Sequence, residues 1–133
     1  MKKLFILMFI VFSFNLFSQG YTYSYYNHNL IMKNNYTKAV EDQSTNKFKV
    51  DVTLYSNMTG YVVIETGAVI TLTELYASND KTEDWHFHGI DNGNRRCNVH
   101  LNTAREQVDG TVYMNIEFKD YSFYYKLKTS YYW

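Results

Sequence analysis

DWHFHGIDNGNRRCNVHL (Asp84–Leu101) holds three of the four histidines, the only cysteine and one of the two tryptophans. Its centre, Asp91-Asn92-Gly93-Asn94, is the strongest turn signal in the chain. The apolar residues on either side are Trp85 and Phe87, then Cys97, Val99 and Leu101, all at odd positions. Side chains alternate across a strand, so one face of a hairpin collects all five only if paired numbers sum to an even value. The loop must then hold an odd number of residues. Asp91-Asn92-Gly93 satisfies this, with Gly93 left-handed in a type I turn with a G1 bulge. A two-residue Asn92-Gly93 turn does not. The stretch therefore reads as a β-hairpin with a core face.

The opposite face receives Asp84, His86, His88, Arg96, Asn98 and His100. Two histidines in a His-x-His step stand about 7 Å apart on one side of a strand. With a third from the neighbouring strand, His86, His88 and His100 are candidate ligands for zinc or copper. Asp84 is a candidate ligand, or an acceptor that orients His100. In the Asp91–Gly93 register Arg96 lies opposite His88, and a fixed positive charge there disfavours a bound cation. The competing reading is a solvated polar face.

Other runs repeat the alternation. Lys47–Ser56 sets Phe48, Val50, Val52 and Leu54 against Lys49, Asp51, Thr53 and Tyr55 without exception. Thr111–Lys119 and Tyr121–Trp133 test each other. A turn at Lys119-Asp120 pairs Phe118 with Tyr121, Ile116 with Phe123, Met114 with Tyr125 and Val112 with Leu127, inward face to inward face. Tyr21–His28 reads as a strand at an edge, because neither face is strongly apolar. Tyr61–Glu65 and Ala68–Ala77 are two β-branched runs, with Thr66-Gly67 as a turn or a bulge between them. Ala104–Gly110 reads as a charged loop, and Asn29–Asn46 has no clear period. About eight short strands with polar turns predict an all-β domain, a small antiparallel β-barrel or β-sandwich.

The N-terminus has its own pattern. Lys2 and Lys3 precede an apolar run, Leu4–Phe17, and Ser18-Gln19-Gly20 offers small residues for cleavage before Tyr21. The run is shorter than the roughly 20 residues of a spanning helix. Residues 1–20 are expected to be a cleaved signal peptide, and 21–133 a single β domain exported to the periplasm or the medium.

The 13 basic and 13 acidic residues balance and are dispersed, so nucleic-acid binding has no electrostatic footprint. Cys97 has no partner for a disulfide within the chain, and its place on the apolar face predicts a buried thiol. No Ser, His and Asp stand in an order that suggests a triad. Asn35-Tyr36-Thr37 and Asn57-Met58-Thr59 match the glycosylation sequon. All 14 tyrosines follow the leader, and there is no proline. Tyrosine has a large apolar body and a polar tip, which suits half-exposed strands and binding faces alike. Outward tyrosines such as Tyr55, Tyr113 and Tyr124 are candidates for a contact surface.

These features favour a non-catalytic binding protein for a protein, glycan or small ligand, of the inhibitor or immunity type. A metal-binding protein or metallohydrolase using the histidine patch is the first alternative. The aromatic end, Tyr131-Tyr132-Trp133, raises a second: a small outer-membrane β-barrel, the one case that implies a membrane partner.

Overall fold

The computed structural model describes residues 20–130. The expected leader, apart from Gly20, and the terminal Tyr131, Tyr132 and Trp133 lie outside the described residues. The strands are β1 (Gly20–Asn34), β2 (Val40–Ser44), β3 (Lys49–Tyr55), β4 (Gly60–Ile64), β5 (Val69–Asn79), β6 (Asp84–Asp91), β7 (Arg96–Asn102), β8 (Thr111–Glu117) and β9 (Tyr121–Lys128). A single helical turn, α1 (Glu106–Asp109), lies between β7 and β8.

Each strand from β3 to β9 pairs antiparallel with the next, and β1 pairs with β9. The result is a closed up-and-down barrel of eight strands with β2 as an extra strand. Closure depends on the length of β1. Its first half, Gly20 to Tyr26, pairs with β3. Its second half, Tyr26 to Asn34, pairs with β9, with a bulge between Asn27 and Asn29. β2 then covers the edge that β3 leaves free, from Leu30 to Lys33. The edge reading of Tyr21–His28 holds for its first part, since among the described residues Gly20–Tyr25 pair with β3 alone. From Tyr26 onward β1 joins the two ends of the sheet and closes the barrel.

The barrel is filled by side chains from every wall. Val50, Val52, Leu54, Val62, Ile64, Ile70, Leu72, Phe87, Val99, Leu101, Val112, Met114, Ile116 and Leu127 are all buried. Large and small residues alternate around one level, where Leu54 pairs with Gly60, Gly60 with Leu72, Leu72 with Gly89 and Gly89 with Cys97. Gly60 is required there, since a Cβ would lie 1.8 Å from the Thr53 carbonyl oxygen. Cys97 is buried as expected. Burial, with the Asp91 charge nearby, pushes its thiol up to about 11.

Several local expectations are settled. β8 and β9 pair in the register read from their apolar faces, Ile116 with Phe123 and Val112 with Leu127. The turn between them is the two-residue Lys119-Asp120 loop, closed by the Phe118 N–H donating to Tyr121 O at 2.8 Å. Thr66-Gly67 is a tight turn, with Gly67 at φ +124°. The stretch without a clear period becomes the far half of β1 and β2. The charged loop after β7 contains α1, which ends at Gly110 in the left-handed conformation.

The β6–β7 loop corrects one detail. Its residue count is odd, as parity demands, but it is Asn92-Gly93-Asn94, with Ile90 opposite Arg96. Asn94, not Gly93, is left-handed, at φ 64°. The cause is Asp91. Its Oδ1 accepts hydrogen bonds from Gly93 N at 2.9 Å and Arg95 N at 2.7 Å, and its Oδ2 accepts from Arg95 Nε at 2.9 Å. Asparagine tolerates the left-handed region well enough to allow this register.

Candidate functional site

Because the odd residues of β6 and β7 fill the barrel, the even ones stand on its outer wall. The corrected register places His86 opposite His100 and His88 opposite Asn98. Arg96 lies opposite Ile90, one step further toward the turn, and not opposite His88.

The rings of His86 and His100 stack face to face, 4.2 Å between centroids and 4° from parallel. His100 Nε2 lies 2.6 Å from Asp84 Oδ1, which also accepts from Asn102 Nδ2 at 2.8 Å. Hydrogen bonds from Thr82 and Asn102, with His100 adding to them, hold the Asp84 carboxyl down at about 2. Asp84 therefore holds His100 in place.

His88 belongs to a second cluster. Tyr76 of β5 stacks on it at 4.0 Å and 15°, and lies 6.0 Å from His86 at 47°. His88 Nδ1 is 3.0 Å from Asn98 Oδ1, and its Nε2 is 3.6 Å from Glu74 Oε1. The three imidazoles share one face, but they form stacked rings engaged by separate partners. Among the described residues no group of three His, Cys, Asp or Glu side chains is placed to hold a metal ion.

Tyr76 and Glu74 reach this wall through irregular pairing. β5 pairs Leu72 with Gly89 but Glu74 with His88, then Leu75 with Phe87 but Ala77 with His86. Thr73 and Tyr76 are the inserted residues. The first bulge reverses parity: Ile70 and Leu72 face the core from even positions, and Leu75 packs against it from an odd one. Neither Tyr76 nor Glu74 stands out in the sequence. The one available signal is a strand-like run whose apolar residues change parity between Leu72 and Leu75.

Beside His88 the wall is hollowed into a groove of about 580 Å³. Its sides carry Glu74 and Glu117, Arg96 and Lys119, together with His88 and Asn98. Gly89 and Cys97, whose side-chain positions face the core, also contribute to its lining. The groove has both signs of charge, an amide and the edge of a ring stack. Such a set can hold a polar ligand by hydrogen bonds and ion pairs.

Two of the three tyrosines singled out from sequence extend this wall. His100 pairs with Asn115, and Asn115 with Tyr124, so Tyr124 stands in the same row as the stacked histidines. The Lys33 ammonium lies 5.4 Å above its ring. Tyr113 is opposite Asn102 and Lys126 and is exposed. Tyr55 is on the far side of the barrel, packed edge-on against Tyr61 at 6.1 Å. It does not share the wall.

The chain matches no protein-family model, no curated protein and no solved structure.

Proposed function

We propose that this is an exported, non-catalytic binding domain that takes its ligand on the outer wall formed by β5 to β8. The carrying observation is the groove of about 580 Å³ lined by His88, on which Tyr76 stacks, outside a barrel whose interior is filled by its own side chains. Closed barrels that store ligands inside leave that space open. The groove falls within the usual size range of small-ligand sites. It would admit a small polar molecule, one sugar unit of a glycan or a protruding side chain of a protein partner.

Other features support the reading. The buried Cys97 thiol, pushed up to about 11, is far from a reactive thiolate. The outer surface carries Lys49, Asp51, Arg96 and Lys126, whereas a membrane-spanning barrel needs an apolar outer band. Export rests on the leader pattern of residues 1–20 alone.

The test compares wild type with a Tyr76→Ala/His88→Ala double variant, on a glycan array and against the exported proteins of the source cells. The reading requires a binding event in wild type that the folded variant loses. A variant that keeps every partner moves the contact off this wall.

A further inference from the structure

A second site is built at the end of the barrel where β6 begins and β7 finishes. A cavity of about 30 Å³ lies there inside the barrel. Val52, Leu54, Phe87 and Leu101 give it apolar walls. Two polar atoms among its lining residues, the Tyr23 hydroxyl oxygen and Trp85 Nε1, are buried without a hydrogen-bond partner among the described residues. Across the cavity the Tyr25 hydroxyl donates to Glu106 Oε2 at 3.3 Å. Burial, with the Glu106 charge next, pushes the Tyr23 hydroxyl up to about 12, so it stays protonated.

Indole N–H can only donate, and a protonated phenol can donate as well. Two unused donors beside one small space call for an acceptor oxygen. A buried donor left unpaired is costly, so such groups are kept paired unless a ligand or water supplies the partner. The space itself holds about one oxygen-sized group. Anything larger must displace the cover, which is α1. That turn has no buried residue of its own and ends at Gly110, a left-handed cap with φ 76° whose carbonyl accepts from Thr129 N at 2.9 Å. Thr103, just before it, is tied to the barrel by its N–H to Glu83 O at 3.1 Å.

We propose that this barrel end is a binding mouth for a small neutral molecule with a carbonyl oxygen on a flat apolar body. The oxygen accepts from Trp85 Nε1 and the Tyr23 hydroxyl, and α1 is the cover that moves aside. This site is independent of the outer groove and stands or falls without it.

The probe is prodan, a neutral naphthyl ketone dye whose emission moves to the blue in apolar surroundings. Wild type is expected to bind it saturably and one to one. Tyr23→Phe and Trp85→Phe each keep a ring in place and remove one donor, and each should weaken binding by about tenfold. Tyr25→Phe removes one of the contacts that hold Glu106 and so weakens the hold on the cover, which should strengthen or speed binding a few-fold. Tyr76→Ala, on the outer wall, should leave binding unchanged. Should Trp85→Phe fail to fold, Tyr23→Phe decides the matter alone. No saturable binding by wild type and by Tyr25→Phe overturns the proposal. So does binding that Tyr23→Phe leaves unaltered, because the dye then sits elsewhere.

Discussion

The β8–β9 hairpin turns on Lys119 and Asp120, and the β6–β7 hairpin on Asn92, Gly93 and Asn94. The first pair of residues is a poor two-residue turn, and the second set contains a favoured Asn-Gly. Yet the poor turn is held from outside. Asn35 Nδ2 donates to Phe118 O at 2.7 Å and to Lys119 O at 3.2 Å, and Asn35 Oδ1 accepts from Ser122 Oγ at 2.6 Å. The good turn is held from within, by the Asp91 carboxylate. The difference separates two jobs. Alternation of apolar residues decides which face is inside, and hydrogen bonds at the turn decide which residues stand opposite each other.

The two hairpins share one core, and breaking it should erase the contrast. Phe87→Ala and Met114→Ala remove fully buried side chains from the two hairpins. They should cost about 3–5 and about 2–5 kcal/mol respectively in urea unfolding, with both hairpins losing amide protection together. If only the mutated hairpin loosened, the barrel would not be one cooperative unit.

The next effect separates the two turns. Asp91→Ala should cost about 1–3 kcal/mol through loss of the internal staple. Burial opposes ionisation of Asp91, but hydrogen bonds from Arg95 outweigh it and hold the carboxyl low. Asn35→Ala should cost a similar ~1–3 kcal/mol, felt in the β8–β9 turn although the residue is remote in sequence. Amide shifts confined to β6–β7 in the first variant and to β8–β9 in the second would support the distinction. It also means that glycosylation at Asn35 would disrupt a turn.

A smaller effect concerns pH. The Asp84 carboxyl is lowered from 3.8 to about 2, so the unfolded chain takes up the proton first. Its contribution is present above about pH 4 and drains away as pH falls from 3.8 toward 2. Asp84→Asn should flatten that part of the stability–pH profile, measured by melting at stepped pH. A profile unchanged in the variant would remove Asp84 from the account.

The smallest effect tests the register directly. A Cβ on Gly93 would meet Asp91 Oδ1 at 3.4 Å, an ordinary contact, and Gly93 has no positive φ. Gly93→Ala should therefore change stability by only about 0.5 kcal/mol, and Asn94→Gly should raise it by about 0.5–1 kcal/mol. The opposite order in chemical denaturation would restore the Asp91–Gly93 loop.

Much of the site was legible from parity. Odd apolar residues placed His86, His88 and His100 on one outer face, and the same rule placed Tyr113 and Tyr124 outward. What stayed hidden followed from single inserted residues. The bulge at Thr73 carries Glu74 to the outer wall, and the one at Tyr76 supplies the ring that stacks on His88. No count of period two can reveal a residue that breaks the period. The face of Tyr55 was read correctly, but which wall it belonged to depended on strand order.

The sequence by itself determined an all-β chain, the inward faces of β3 and of β6 to β9, and the pairing of β8 with β9. These follow from alternation, which is a local property of each strand. Only the tertiary structure decided that β1 closes the barrel, that Asn35 secures the Lys119-Asp120 turn, and that the histidines stack with Tyr76 in place of gathering around a point. Those outcomes depend on hydrogen bonds and ring contacts between residues far apart in the chain, whose partners alternation does not name.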